Sequence, residues 1–288
     1  MRATSGEQFE VYSGAVRLAG EQSGEGPAVM LLHGLTATRR YVVMGSSALA
    51  RDGHRVVMYD ARGHGRSGAP VGSGHTLANA ITAYSYATLT DDLIAVLDGL
   101  GIERVVLAGA SMGAHTLLSF ALRAPERVAG LVVITPAFSG AETLSAERLA
   151  RWDALAEGLR SGGVDGFIEA YGNPHVASER IAQTVLTVVR QRLSQHDDLL
   201  ALADAVQGVP RSRPFDAIES LRALPAVPTV VVASNDDADP EHPEATGRAY
   251  AETIAGARLI TDPPGASPIA WQGSQLSKLI AEVAAEVA

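Results

Sequence analysis

The 288-residue chain has no cysteine and one lysine, Lys278. Without cysteine it can form no disulfide, no thiolate nucleophile and no cysteine-ligated metal site. With a single lysine, Schiff-base chemistry has one candidate at most. Aromatic residues are scarce at 5%, whereas 47% of the residues are hydrophobic and 19% are charged, a composition typical of a well-packed globular protein.

Basic residues are fewer than acidic ones, which gives a formal net charge of −9, and the arginines are scattered along the sequence. We therefore expect no nucleic-acid partner. No apolar run approaches the 18 residues or more of a membrane span, so we expect no membrane association. The polar stretch Met1–Glu10 lacks the apolar core of a signal peptide, which favours a cytoplasmic location.

Short apolar runs alternate with helical patterns along most of the chain. Continuous apolar runs suit strands that are buried on both faces, and a polar-flanked ribbon over about 9–20 precedes them. The runs are Ala28–Leu32, Arg55–Tyr59, Val105–Ala108, Leu131–Ile134, Thr229–Val232 and Ala257–Ile260. This alternation predicts an α/β protein with one open, mostly parallel sheet.

The alternation stops between Phe138 and Pro214, where helix-forming patterns such as 146–159 and 178–193 occur without a strand-like run. We interpret 138–214 as a helical cap over the strand ends, and 1–137 with 215–288 as the core. Phe167, Ile168 and Tyr171 are predicted to line a pocket between the two.

The strongest chemical signal is Gly109-Ala110-Ser111-Met112-Gly113, between a predicted strand and a predicted helix. A G-x-S-x-G run in this context is a nucleophile elbow, which exposes the serine on a sharp turn. His33-Gly34-Leu35-Thr36 follows the first core strand, where elbow enzymes supply one oxyanion-hole amide. We therefore predict Ser111 as nucleophile and the main-chain N–H groups of Leu35 and Met112 as oxyanion donors.

A third motif, Asp60-Ala61-Arg62-Gly63-His64-Gly65-Arg66-Ser67, follows the next strand. Together the three motifs resemble the α/β-hydrolase superfamily, and in particular its helical-cap branch of esterases, lipases and lactonases. The resemblance covers nearly the whole chain and treats the 60–67 loop as mainly structural. It implies a Ser–His–acid triad and no cofactor.

The resemblance places the triad acid after the strand Thr229–Val232. Counting forward from Pro228 reaches Asp237, whereas the family's D-P-x-x-P pattern and backward counting reach Asp239. Both stay open, with Asp239 favoured, and Asp236 is interpreted as a loop-capping acid.

The resemblance then fails at the histidine, because the family's G-H-x-P reads Gly265-Ala266-Ser267-Pro268 here. Ala266 stands where the imidazole should be, and His242, the only later histidine, is judged too early to replace it. A serine hydroxyl without an adjacent base is a poor nucleophile.

Three explanations stay open. Ala266 is an engineered inactivation, or another histidine such as His64 or His75 serves as base, or hydrolysis has been lost. We predict a hydrolase of small or medium uncharged esters, thioesters or lactones, acting through an acyl-enzyme on Ser111. The alternatives are an inactive ligand-binding protein and a lyase or isomerase using the same pocket. No metal site is predicted, and the oligomeric state is not predicted.

Overall fold

The fold was analysed in a computed structural model, which describes residues 6–70, 75–172, 174, 179–235, 239, 241–263 and 268–287, except the side chains of 141 and 142. In these residues eight strands form one sheet in the order β1-β2-β4-β3-β5-β6-β7-β8. The strands are β1 Glu7–Ser13, β2 Val16–Ser23, β3 Ala28–Leu32, β4 Arg55–Tyr59, β5 Val105–Ala110, β6 Val128–Ile134, β7 Thr229–Ala233 and β8 Arg258–Thr261. Pairing is antiparallel for β1–β2 and β2–β4 and parallel for the rest, which confirms the predicted fold class.

The described helices flank the sheet or lie between β6 and β7. They are α1 Ala48–Arg51, α2 Leu77–Ala83, α3 Tyr86–Gly99, α4 Met112–Arg123, α5 Ala146–Tyr171, α6 Glu179–Leu193, α7 Leu199–Gly208, α8 Glu244–Thr253 and α9 Gly273–Ala285. No helix in the described part of the chain is long and apolar enough to span a bilayer. Helix α3 begins at Tyr86, where Ser85 caps it by accepting a hydrogen bond from Thr88 N at 3.2 Å.

The central strands are apolar throughout because both faces of the sheet are covered. Val29 and Leu31 pack into one hydrophobic cluster, while Met30 and Leu32 pack into the other, and all four are almost fully buried. This double burial explains the continuous apolar runs of the sequence.

The strand order reverses direction at β3, because β4 lies on one side of it and β5 on the other. Ligand sites in open α/β sheets form at such a switch point, beyond the carboxyl ends of the strands. Leu32 pairs with Gly109 across β3 and β5, so the chain segments that follow these strands emerge side by side. These segments contain Leu35 and Ser111.

Between β6 and β7 the described residues are helical, with α5, α6 and α7 forming a small core of their own. Phe167 is buried in this core and stacks on Tyr171 with ring centroids 6.1 Å apart. Leu35, from the loop after β3, packs against the same cluster, so these helices adjoin the carboxyl edge of the sheet. We refer to α5, α6 and α7 as the inserted helices.

Candidate active site

Ser111 lies on a strained turn between β5 and α4. Its φ is 51° and its ψ is −111°, a backbone conformation that residues with a side chain rarely adopt. The turn is held on both sides, because Ser111 N donates to Ile134 O at 3.0 Å and His115 N donates to Ser111 O at 3.0 Å. This geometry presents the Ser111 side chain at the carboxyl edge of the sheet.

The two elbow glycines are required by close backbone approach. A Cβ on Gly109 would lie 2.5 Å from the carbonyl of Gly113, and a Cβ on Gly113 would lie 2.0 Å from Leu32 O. No side chain fits at such distances, so the G-x-S-x-G spacing reflects the packing of β5, α4 and β3 against one another.

A histidine contacts the serine. His242 Nε2 lies 2.8 Å from Ser111 Oγ, and His242 Nδ1 lies 2.8 Å from both carboxylate oxygens of Asp239. The carboxylate accepts from Nδ1–H, which leaves Nε2 free to accept from the serine hydroxyl. Ser111, His242 and Asp239 thus form a chain of hydrogen bonds with the order of a nucleophile, base and acid in a serine triad.

The acid and the base lie on one short turn after β7. His242 N donates to Asp239 O at 3.3 Å, a contact between residues i and i+3 that brings the two side chains together. Burial by itself would raise the pKa of Asp239, but the charge and hydrogen bond of His242, together with the charge of Arg192, lower it below its usual value. Asp239 is therefore held as a carboxylate.

The same turn is tied to the inserted helices. Glu241 pairs with Arg148 at 2.9 Å and with Arg151 at 3.0 Å, both from the first turns of α5. Arg148 also donates to the main-chain oxygen of Glu241 at 3.2 Å. The residue next to His242 thus connects the catalytic turn to an inserted helix.

The Met112 amide has the orientation that an oxyanion donor needs. Met112 is the first residue of α4, so its N–H has no acceptor inside the helix. Ser111 O accepts from His115 N along the helix, and because the peptide is trans, the N–H of Met112 points the opposite way, out of the helix start. The helix dipole adds a partial positive charge there.

The Leu35 amide is positioned by two buried histidines. Gly34 O accepts from His33 Nδ1 at 2.8 Å, and Thr36 O accepts from His196 Nε2 at 3.0 Å. Because the Gly34–Leu35 peptide is trans, the Leu35 N–H points away from His33. A Cβ on Gly34 would lie 3.5 Å from Ser111 Cβ, so this loop packs directly on the elbow.

Of the sequence predictions about the triad, one is wrong and others fall on residues that the structure does not describe. The exclusion of His242 as too early in the chain is wrong in position, because the turn after Asp239 brings its ring against Ser111. The signal was present as Asp239-Pro-Glu-His242, an acid and a histidine three residues apart around a turn-favouring proline. Asp236, Asp237 and Ala266 lie outside the described residues.

The alternative bases proposed from sequence lie elsewhere. His64 is buried between the rings of His33 and His196, at centroid distances of 5.2 and 5.7 Å, and its Nδ1 donates to Arg62 O at 2.9 Å. His75 pairs with Asp204 at 2.8 Å. Within the described residues neither ring is a hydrogen-bond partner of Ser111, so a base role for either one is not supported by position.

The remaining motif residues hold the site in place. Asp60 accepts from Arg39 N at 2.8 Å and from Arg66 N at 3.0 Å, which closes the loop after β4. His115 Nε2 accepts from Ala137 N and Phe138 N at 3.1 Å each, so this ring anchors the segment after β6. Burial lowers the pKa of His115 to about 3, which keeps it neutral.

In the described ranges, no three histidine, aspartate or glutamate side chains converge as a metal site would require.

The fold and this site define a class. Residues 27–194 match the α/β-hydrolase fold family, more than half of the chain. The chain belongs to that family, as the resemblance in the sequence implies, and is a hydrolase of it.

Several individual proteins are also similar to this chain. The chain is 31% identical over 217 residues to a putative carbamate hydrolase, RutD, of Variovorax paradoxus, covering 74% of this chain and 75% of the relative. A thermophilic esterase from Thermogutta terrifontis superposes with a TM-score of 0.77 at 26% identity, covering 97% and 98% of the two chains. An enol-lactonase from Burkholderia xenovorans has a TM-score of 0.75 at 24% identity over 96% of this chain and 100% of its own, a likeness of fold alone.

Proposed function

We propose that this protein is a serine hydrolase that cleaves an ester, thioester or lactone through an acyl-enzyme on Ser111. One observation carries the proposal: His242 Nε2 lies 2.8 Å from Ser111 Oγ while its Nδ1 is held by Asp239. A base oriented by a carboxylate is what activates a serine hydroxyl for attack on a carbonyl carbon.

The reaction has two halves. In the first, Ser111 Oγ attacks the carbonyl carbon, its proton passes to His242 Nε2, and the oxyanion is stabilised by the N–H groups of Leu35 and Met112. His242 then returns the proton to the leaving alcohol or thiol as the carbon–heteroatom bond breaks. In the second, His242 takes a proton from water as the water oxygen attacks the acyl carbon, and it then returns this proton to Ser111 Oγ as the acyl–oxygen bond breaks and the acid is released.

We further propose that residues 138–214 act as a cap over the substrate. The inserted helices pack on Leu35 and pair with Glu241, so they border both the oxyanion loop and the catalytic turn. Partly buried Tyr171 and Ile168 remain candidates for the pocket wall, whereas Phe167 packs inside the insertion. This arrangement suits a small-molecule substrate that reacts without a cofactor. A cytoplasmic location stays a prediction.

The non-catalytic alternatives were motivated by the missing triad histidine. A histidine in contact with Ser111 removes that motive, and no feature of the described residues favours a lyase or isomerase over acyl transfer.

The test is covalent labelling of the nucleophile. A fluorophosphonate should add once to Ser111, detected by peptide mass spectrometry, and turnover of 4-nitrophenyl butyrate should be lost in parallel. Ser111→Ala should abolish both, whereas Ser161→Ala, at an exposed serine of α5, should change neither. Turnover that survives Ser111→Ala would contradict the acyl-enzyme, and labelling without any ester turnover would favour a ligand-binding protein.

A further inference from the structure

Among the described residues, three arginines with largely buried side chains are paired with carboxylates. Their partnerships are Arg39 with Asp60, Arg62 with Asp92 at 2.6 Å, and Arg160 with Asp204 at 2.9 Å. Arg192 differs from all of these. Its Nε is shielded from water and has no hydrogen-bond acceptor. Within the residues that the structure describes, its guanidinium forms no ion pair or hydrogen bond.

The electrostatics of Arg192 agree with a missing partner. Burial lowers the pKa of Arg192, and the charges of Tyr171, Tyr41 and Asp239, which act in the opposite direction, do not outweigh it. Burial acts in the same direction on Arg62, but the hydrogen bond and charge of Asp92 outweigh it and raise the pKa of Arg62. A buried charge without a partner is costly, so Arg192 lowers the stability of the fold unless something else binds it.

The charge of Arg192 acts on side chains of three different segments. Burial raises the pKa values of Tyr41 and Tyr171, and the charge of Arg192 opposes the rise in both. The same charge helps to lower the pKa of Asp239. Tyr41 follows the loop that carries Leu35, Tyr171 ends α5, and Asp239 contacts His242, so the Arg192 guanidinium lies within electrostatic reach of all three segments.

The position of α6 agrees with this placement. Leu193, next in sequence to Arg192, is buried in the core of the inserted helices. Four residues after Arg192, His196 donates to Thr36 O at 3.0 Å and accepts from Gly65 N at 2.8 Å. The end of α6 is thereby docked beside the loop that carries the Leu35 amide.

Asp239 does not serve as the missing partner, because its ion pair and side-chain hydrogen bonds are with His242 Nδ1 at 2.8 Å and none is with Arg192. A guanidinium presents a planar fork of donors that fits a carboxylate in two parallel hydrogen bonds. We propose that Arg192 binds a carboxylate of the substrate, so that the substrate is an ester, thioester or lactone that also carries a free carboxylate. This inference rests on the proposed hydrolase function and replaces the uncharged substrate expected from sequence.

The first experiment compares matched esters. One pair is mono-4-nitrophenyl adipate and its methyl-capped diester, with the carboxylate on the acyl side. The other pair is 4-acetoxybenzoate and its methyl ester, with the carboxylate on the leaving side. Wild type should favour the carboxylate member of at least one pair in kcat/KM. Arg192→Met should lower that preference at least ~10-fold, since a hydrogen bond to a charged group is lost.

The matched control is Arg190→Met, which removes the same charge from the same helix. Arg190 is half-exposed and pairs with Asp165 on the surface, so the preference should stay at its wild-type value. A preference that survives Arg192→Met, or a wild type that favours the capped ester in both pairs, would overturn the proposal.

The second experiment uses stability, which does not depend on turnover. Arg192→Met should raise the unfolding temperature, because it removes an unpaired buried charge, whereas Arg62→Met should lower it, because it leaves Asp92 unpaired. If Arg192→Met lowers the unfolding temperature as Arg62→Met does, Arg192 has a partner within the protein and the proposal is wrong.

A third arm separates this proposal from the hydrolase function. If wild type turns over none of the four esters, the hydrolase function fails, and binding decides the role of Arg192. Calorimetric titration of Ser111→Ala with adipate should then give binding that dimethyl adipate does not reproduce and that Arg192→Met abolishes. Equal binding with and without Arg192, or no binding of adipate at all, would overturn the carboxylate site.

Discussion

Replacing His242 with alanine should remove nearly all turnover. Its Nε2 lies 2.8 Å from Ser111 Oγ, and within the described residues no other imidazole contacts that oxygen. Removing the base of a serine triad costs on the order of 10⁶ in kcat. At 1.36 kcal/mol per decade, this corresponds to about 8 kcal/mol of activation free energy. A residual acceleration of roughly 10³ over water should survive through Leu35, Met112 and substrate binding.

The decisive comparison sets two positions against each other. Family resemblance places the base at Ala266, whereas the geometry places it at His242. We therefore expect Ala266→His to leave hydrolysis of 4-nitrophenyl butyrate within about twofold of wild type. The double variant His242→Ala with Ala266→His should be as inactive as His242→Ala alone, because His242 is the imidazole that contacts Ser111.

The matched control is His75→Ala, another histidine paired with an acid but bound to Asp204 on α7. It should retain wild-type turnover, and circular dichroism should establish that each variant is folded. The reasoning would be refuted if His242→Ala kept more than about a tenth of wild-type kcat. It would also be refuted if Ala266→His increased kcat by orders of magnitude, because the base would then come from the loop after β8.

Three further predictions concern positioning, stability and pH. Glu241→Gln should lower kcat by ~10- to 100-fold and change KM less, because it loosens the ion pairs with Arg148 and Arg151 that hold the turn Asp239–His242. An unchanged kcat would contradict a role of these ion pairs in positioning His242. Arg62→Met should lower the free energy of unfolding in urea by about 3–5 kcal/mol, because it leaves Asp92 buried and unpaired, whereas Arg123→Met, in an exposed pair with Asp91, should cost about 0–1 kcal/mol. Burial lowers the pKa of His196 to about 4, so the unfolded chain binds more protons and stability should fall as pH drops from about 6.5 towards 4. His196→Asn should make that fall shallower in urea titrations, and an unchanged slope would exclude His196 as a source.

Much of the fold was predictable because its signals are local. A parallel strand covered on both faces must be apolar at every position, so runs such as Ala28–Leu32 mark the sheet directly. The elbow is likewise visible, since Gly109 and Gly113 are dictated by close backbone contacts. Helix starts were less predictable, because a start depends on a single capping residue, as Ser85 shows for α3.

The base was not predictable by counting along the chain. His242 reaches Ser111 because the turn Asp239–His242 closes by an i to i+3 hydrogen bond and because Glu241 is held from α5. Neither contact has a counterpart in the family's linear spacing, which places acid and base after different strands. The same limit applies to Arg192, because a buried arginine without a carboxylate cannot be distinguished in sequence from a paired one.

The sequence by itself determined the sheet, the family and the elbow serine, since each depends on the periodicity of apolar residues or on residues adjacent in the chain. Only the tertiary structure decided which histidine contacts Ser111 and that, in the described part of the chain, the largely buried Arg192 has no carboxylate partner. Those properties depend on distances between segments more than a hundred residues apart in the chain, and these distances exist only once β5, the turn after β7 and the inserted helices have packed together.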